Sequence, residues 1–149
     1  MTRRLSKAPL GSSNRNENTR SLRLKNYNEP SPDLTYVSYQ LLIDQDTDYC
    51  QSLRVWEKEG LLAQMNNALI QLCKESAVNS KRIKKYGAYP DKSKTNFPEC
   101  PKHLSKSANW SALRLSGKVR VIGIIDRNIF YIVYLDRDHL FYLSPKKHT

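Results

Sequence analysis

Between Trp110 and Leu135 the chain holds three runs of β-branched and apolar residues, Trp110 to Leu115, Lys118 to Ile125 and Ile129 to Leu135. They are cut apart by Ser116-Gly117 and Asp126-Arg127-Asn128, residues that favour tight turns, so the block predicts strands joined as an antiparallel meander. Val119, Val121, Ile122, Ile124 and Ile125, then Ile129, Phe130, Ile132 and Val133, are apolar almost without alternation. A strand exposed on one face alternates apolar and polar residues, so the middle strands should be covered on most of both faces. A short fourth run, Leu140 to Leu143, follows Asp136-Arg137-Asp138-His139 and predicts one more strand.

What precedes the meander has a different period. Leu34 to Ile43 is dense in aromatic and β-branched residues and predicts a first strand. Asp44 to Asp48 supply turn and capping chemistry, Leu53 and Trp56 fall three apart, and Gly60 should stop a short helix. Leu62, Met65, Leu69 and Leu72 recur at helical spacing and predict a second helix with one apolar face. Ala77 to Tyr86, with Lys81, Arg82, Lys84 and Lys85, predicts a further short helix, and Pro90, Pro98 and Pro101 mark residues 90 to 108 as a surface loop. Residues 1 to 33 show neither period and predict a flexible basic arm. The expected architecture is one α+β domain over 34–149, in which a helical hairpin packs on a curled antiparallel sheet.

Charge narrows the partners. Lys and Arg number 25 against 14 Asp and Glu, a net +11, and the arm takes only seven of the basic and three of the acidic side chains, so the folded part is basic too. Such a surface attracts polyphosphate and gains from counterion release, which points to nucleic acid. Solubility alone is the plainer explanation of the same excess. Cys50, Cys73 and Cys100 are odd in number and in no C-x-x-C spacing, and His103, His139 and His148 are scattered, so neither disulfides nor a metal site nor a cofactor is expected. No stretch approaches the ~20 apolar residues that span a bilayer. No apolar signal segment follows the basic start, and the expected setting is cytoplasmic, with no membrane partner.

Trp110-Ser-Ala-Leu-Arg-Leu-Ser-Gly-Lys-Val-Arg-Val-Ile-Gly123, followed by Ile129-Phe-Tyr-Ile-Val-Tyr-Leu135 and a charged turn that ends in an aromatic, resembles the signature of the RelE/ParE-type toxins of bacterial type II toxin–antitoxin systems. In that family two helices follow the first strand and a curled antiparallel sheet follows them, and the resemblance covers roughly residues 34 to 144. The arm, the 90–108 loop and the aspartates at 136 and 138 are additions to the pattern. The resemblance implies a metal-independent endoribonuclease that cuts mRNA, often at the ribosome, by attack of the RNA's own 2′-hydroxyl on the adjacent phosphate. It also implies an acidic antitoxin protein as partner.

That chemistry needs a base, cations for the transition state, and an acid for the leaving oxygen. Arg114, Lys118 and Arg120 fall on facing positions of two paired strands, so their cationic ends are expected to converge on one phosphate. His139 titrates in the right range to move a proton, Arg137 is placed to hold a second phosphate, and Tyr142 to stack on a base or donate a proton. Lys81, Arg82, Lys84 and Lys85 suit tracking of a phosphate backbone. The plainer readings are an ordinary polar turn over 136–139, whose aspartates cap backbone N–H groups, a solvated helix face over 81–85, and core-filling roles for Trp56 and Trp110. Two other functions share these residues: a basic nucleic-acid-binding or regulatory protein of a mobile element without catalysis, and a ParE-like toxin acting on DNA gyrase.

Overall fold

A computed structural model describes residues 33–40 and 44–144. The expected arm, except Asp33, and Leu41 to Ile43 of the expected first strand lie outside the described residues. Strand β1 is Tyr36–Tyr39, helices α1 and α2 are Leu53–Lys58 and Leu61–Leu72, and strands β2 to β5 are Ile83–Gly87, Trp110–Arg114, Arg120–Asp126 and Ile129–Asp136. They form one sheet in the order β1-β5-β4-β3-β2. The β2 to β5 ladders are antiparallel, but β1 runs parallel to β5, so the sheet is mixed where an antiparallel one was expected. Two helices between β1 and β2 carry the chain across the sheet, which leaves β1 free to pair beside the last strand.

The helical hairpin follows its punctuation. Ser52 caps α1 by accepting a hydrogen bond from the Val55 N–H at 3.2 Å, and the Asp44 carboxylate takes the Leu53 N–H at 3.0 Å. Gly60 then reverses the chain with φ 75, a left-handed backbone that a side chain disfavours. On α2, Leu61, Met65, Leu69 and Leu72 are buried, so Leu61 rather than Leu62 heads the apolar stripe. With Trp56 they meet Leu113, Val121, Ile125, Phe130, Ile132 and Leu135 from one face of the sheet in a single core.

The opposite face is covered as well. There Trp110, Ala112, Ile122, Ile124, Val133 and Tyr134 pack under Phe97 and Phe141, which come from outside the sheet. Rings lock this second core, with Phe97 at 4.8 Å from Tyr134 and 5.2 Å from Phe141. The 90–108 segment is irregular apart from a 3₁₀ turn at Lys92–Lys94, yet it does more than cross the surface, because it lays Phe97 on the sheet. Double coverage explains the unbroken apolar runs of β4 and β5, whose interior positions other than Tyr131 are buried on both sides. Both tryptophans fill core with no exposure and keep their indole N–H bonded, Trp56 to the Gln51 side chain at 3.0 Å and Trp110 to the Ser105 carbonyl at 2.9 Å.

Two expected elements are corrected. The helix over Ala77 to Tyr86 is instead a turn followed by β2. Ile83 is the one buried residue of β2 and Lys84 and Lys85 are exposed, a composition that suits a sheet edge, and pairing with β3 outweighs the local helical preference. Leu140 to Leu143 form no strand. The Asp136 carboxylate takes the N–H groups of Leu140 and Phe141, while the Leu140 carbonyl and the Leu143 N–H bond to Asn96 and Lys94, so this backbone is tied to the 90–108 segment rather than to the sheet.

Candidate functional site

Three strands finish at one rim of the second sheet face. β3 closes on Arg114, β4 opens on Arg120 and β5 closes on Asp136. The register sets Arg114 opposite Arg120 and Arg120 opposite Asp136, and directly opposed residues project from the same face. Arg114 is exposed and donates through Nη2 to the Lys81 carbonyl at 2.8 Å. The turn between β3 and β4 is closed by the Val119 N–H on the Ser116 carbonyl at 2.9 Å, and it carries Lys118 into solvent. Arg120 is half-buried, and its Nη1 donates to the Gly117 and Val119 carbonyls at 2.8 and 3.0 Å. Those bonds fix the guanidinium, whose Nε and Nη2 have no protein partner among the described residues.

Beyond β5 the chain turns so that His139 faces the same rim. Asp136 is fully buried, and its two oxygens accept the Leu140 and Phe141 N–H groups at 2.9 and 3.0 Å. His139 sits between these anchors with φ 61, a left-handed backbone unusual for a residue bearing a side chain. Burial, then Arg120, then Lys118 hold its imidazole below the ordinary histidine value, which favours the neutral form. Burial pushes the Asp136 carboxyl up to about 6, opposed by its two backbone donors and, last, by Arg120.

A stack of tyrosines walls the site. Tyr142 lies parallel on Tyr86, with ring centroids 4.4 Å apart and an interplanar angle of 3°. Burial raises the Tyr86 phenol, with Arg120 and Arg114 pulling the other way, which puts both guanidiniums within electrostatic reach of that ring. Arg114, Lys118, Arg120, His139 and Tyr142 thus belong to one neighbourhood. Tyr86 and Asp136 join them without having been anticipated as site residues. Tyr86 was hidden by the helical reading of its segment. Asp136 was visible only as a capping residue of a polar turn, a role it does perform for Leu140 and Phe141.

The other expected residues, Lys84 apart, are placed elsewhere. Arg137 turns away from the rim: its Nη1 meets both Glu59 oxygens at 2.9 Å and its Nη2 meets Asp138 at 3.1 Å, so it clamps the turn to the end of α1. Lys81, Arg82, Lys84 and Lys85 do not share a helical face. Arg82, before β2, is 3.4 Å from Glu75, and Lys85 donates to the Val78 carbonyl. Lys84, opposite Ala112, lies on the same face as Arg120. Burial raises the thiols of Cys50, Cys73 and Cys100, the wrong direction for nucleophiles. Among the described residues no three His, Cys, Asp or Glu side chains gather to hold a metal, and no helix is long and apolar enough to cross a membrane.

The fold and this rim define an α+β domain that presents cations, an imidazole and a tyrosine stack together. No family model, curated protein or solved structure matches the chain.

Proposed function

We propose that the chain is a RelE/ParE-type toxin that cleaves RNA without a metal, in the cytoplasm, using the rim formed by Arg114, Lys118, Arg120, His139 and Tyr142. The observation that carries this reading is the register that sets Arg114 opposite Arg120 at the end of the sheet, with His139 in the turn after β5 close enough to feel Arg120 and Lys118. A neutral imidazole accepts a proton, and cations beside it keep it neutral while attracting phosphate. The element order, one strand, two helices and then antiparallel strands, also supports it.

His139 takes the proton of an RNA 2′-hydroxyl. The 2′-oxygen attacks the adjacent phosphorus, the P–O5′ bond breaks, and a 2′,3′-cyclic phosphate and a 5′-hydroxyl remain. Arg120 and Arg114 hold the extra negative charge of the phosphorane-like transition state, where charge-assisted hydrogen bonds are strongest. The leaving 5′-oxygen takes its proton from the Lys118 ammonium, and Tyr142, backed by Tyr86, offers its outer face for a base to stack on. An acidic antitoxin segment neutralises the activity by covering the same cations.

The test is incubation of the purified chain with free and ribosome-bound RNA in the presence of EDTA. Cleavage that disappears in His139→Ala and Arg120→Ala, and on 2′-deoxy substitution at the cut position, is the expected result. A wild-type chain that never cuts RNA in either form rules the reading out. The commitment of Arg120 Nη1 to two turn carbonyls favours one other reading, a rim that grips RNA and leaves it whole. RNA binding that weakens with salt, without cutting, marks that case.

A further inference from the structure

Arg114 borders a groove that the rim chemistry does not use. One part, about 260 Å³, is walled by Gln64, Asn67 and Gln71 of α2 together with Arg82 and Arg114. The next part, about 550 Å³, shares both arginines and adds Lys81, Asn79 and Glu75. The two parts are therefore one groove, which runs from the outer side of α2 to the end of β3. Arg114 stands where the groove meets the rim, because it is the cross-strand partner of Arg120.

The chemistry of the walls is not that of an ordinary solvated helix face, which carries opposite charges at helical spacing. Gln64, Asn67 and Gln71 recur at i, i+3 and i+7, so their amides line one side of the helix. Ser116 donates to the Gln64 side-chain oxygen at 2.9 Å, which orients that amide and ties the β3–β4 turn to α2. The side chains of Asn67, Gln71 and Asn79 have no hydrogen-bond partner among the described residues. Each offers a donor and an acceptor together, the pattern that reads the edge of an unpaired base, while arginines take phosphates. The Arg82–Glu75 pair is open to solvent on both sides, so a phosphate can displace the carboxylate.

We propose that this groove holds the single-stranded RNA that continues from the scissile phosphate, with Arg82 and Arg114 on its phosphates and Gln64, Asn67 and Gln71 on its base edges. The proposal rests on the RNA-cleaving reading for its direction, since the strand enters the rim at Arg114. The sequence preference of the protein is then set on α2, away from the bond that breaks.

The probe is a 2′-O-methylated 12-mer RNA, which binds without being cut, read by fluorescence anisotropy alongside cleavage of the unmodified strand. Asn67→Ala/Gln71→Ala should weaken 12-mer binding about tenfold and flatten the preference among homopolymers. Arg82→Gln should weaken all sequences alike and lower the slope of log Kd against log salt by about one. Thermal unfolding of each variant at the wild-type temperature establishes that the fold is intact. Wild-type 12-mer affinity and preference in both variants, with cleavage still dependent on His139, overturns the groove and leaves the nuclease standing. Weakened binding in the variants of a wild-type chain that never cuts RNA supports the groove as an RNA site and overturns the nuclease instead.

Discussion

Asp136→Asn tests whether burial or hydrogen bonding dominates at the anchor of the His139 turn. The carboxyl is fully buried, and burial pushes it up to about 6, while the Leu140 and Phe141 N–H groups and Arg120 act against that rise. A free aspartate titrates near 4, so between about pH 4 and 6 the folded chain holds a proton that the unfolded chain has lost. Stability conferred by this group is therefore complete below about pH 4 and is lost as pH rises through about 6. At ~1.4 kcal/mol per unit over about two units, the loss is ~3 kcal/mol. Asparagine has the same shape but does not titrate, so the wild-type advantage over the variant should shrink by ~3 kcal/mol between pH 4 and pH 7. His139 has the opposite sign, because its lowered value costs stability as pH falls below the ordinary histidine range, but it is present in both proteins and drops out of the difference. Urea unfolding at pH 4, 5, 6 and 7, followed by the fluorescence of the buried Trp56 and Trp110, measures that difference. An advantage that grows with pH would mean that the two backbone donors and Arg120 outweigh burial, the opposite of the expected sign.

Replacing Lys118 with methionine removes one of the two cations acting on His139, so the imidazole rises toward its ordinary value. The acid limb of kcat/KM then moves to higher pH, and a limb that stays in place contradicts the electrostatic account. In Gly123→Ala a new Cβ would lie 2.2 Å from the Tyr131 carbonyl oxygen and 2.8 Å from Phe130 Cε1, and the nearer obstacle is backbone. Thermal unfolding should show a loss at or above the upper end of the ~1–3 kcal/mol usual for overpacking, and a neutral substitution refutes the close approach of β4 and β5. Glu59→Gln weakens an Arg137 ion pair that is substantially exposed on both sides, so chemical denaturation should register no more than ~1 kcal/mol. RNA cleavage should not change, and a large loss of activity would return Arg137 to the site.

The meander was legible because its cause is local: apolar runs and turn-forming separators act over a few residues, and the runs of β4 and β5 already required cover on both faces. The same holds for the hairpin, whose Ser52 cap, Gly60 break and α2 stripe are all short-range signals. Two things were not legible. The parallel pairing of β1 with β5 joins segments some ninety residues apart, and no pattern within either run distinguishes a parallel partner from an antiparallel one. β2 was hidden for a related reason, since Ile83 is its one buried residue and its partner β3 supplies the rest of the argument for a strand.

The site divides along the same line. Arg114 and Arg120 were placed by the turn between them, because a hairpin fixes which residues face each other. Tyr86, Asp136 and the displacement of Arg137 depend instead on which distant group completes each environment: Tyr142 for the tyrosine, the Leu140 and Phe141 N–H groups for the carboxylate, Glu59 for the arginine. A fully buried aspartate is costly to keep, and the geometry gives Asp136 a use. A turn that must carry His139 in a left-handed conformation and Tyr142 against Tyr86 needs its backbone N–H groups held from inside, and a buried carboxylate between β5 and Phe141 holds two of them at once. The position of the imidazole is therefore set by Asp136, while Arg120 and Lys118 help keep it neutral.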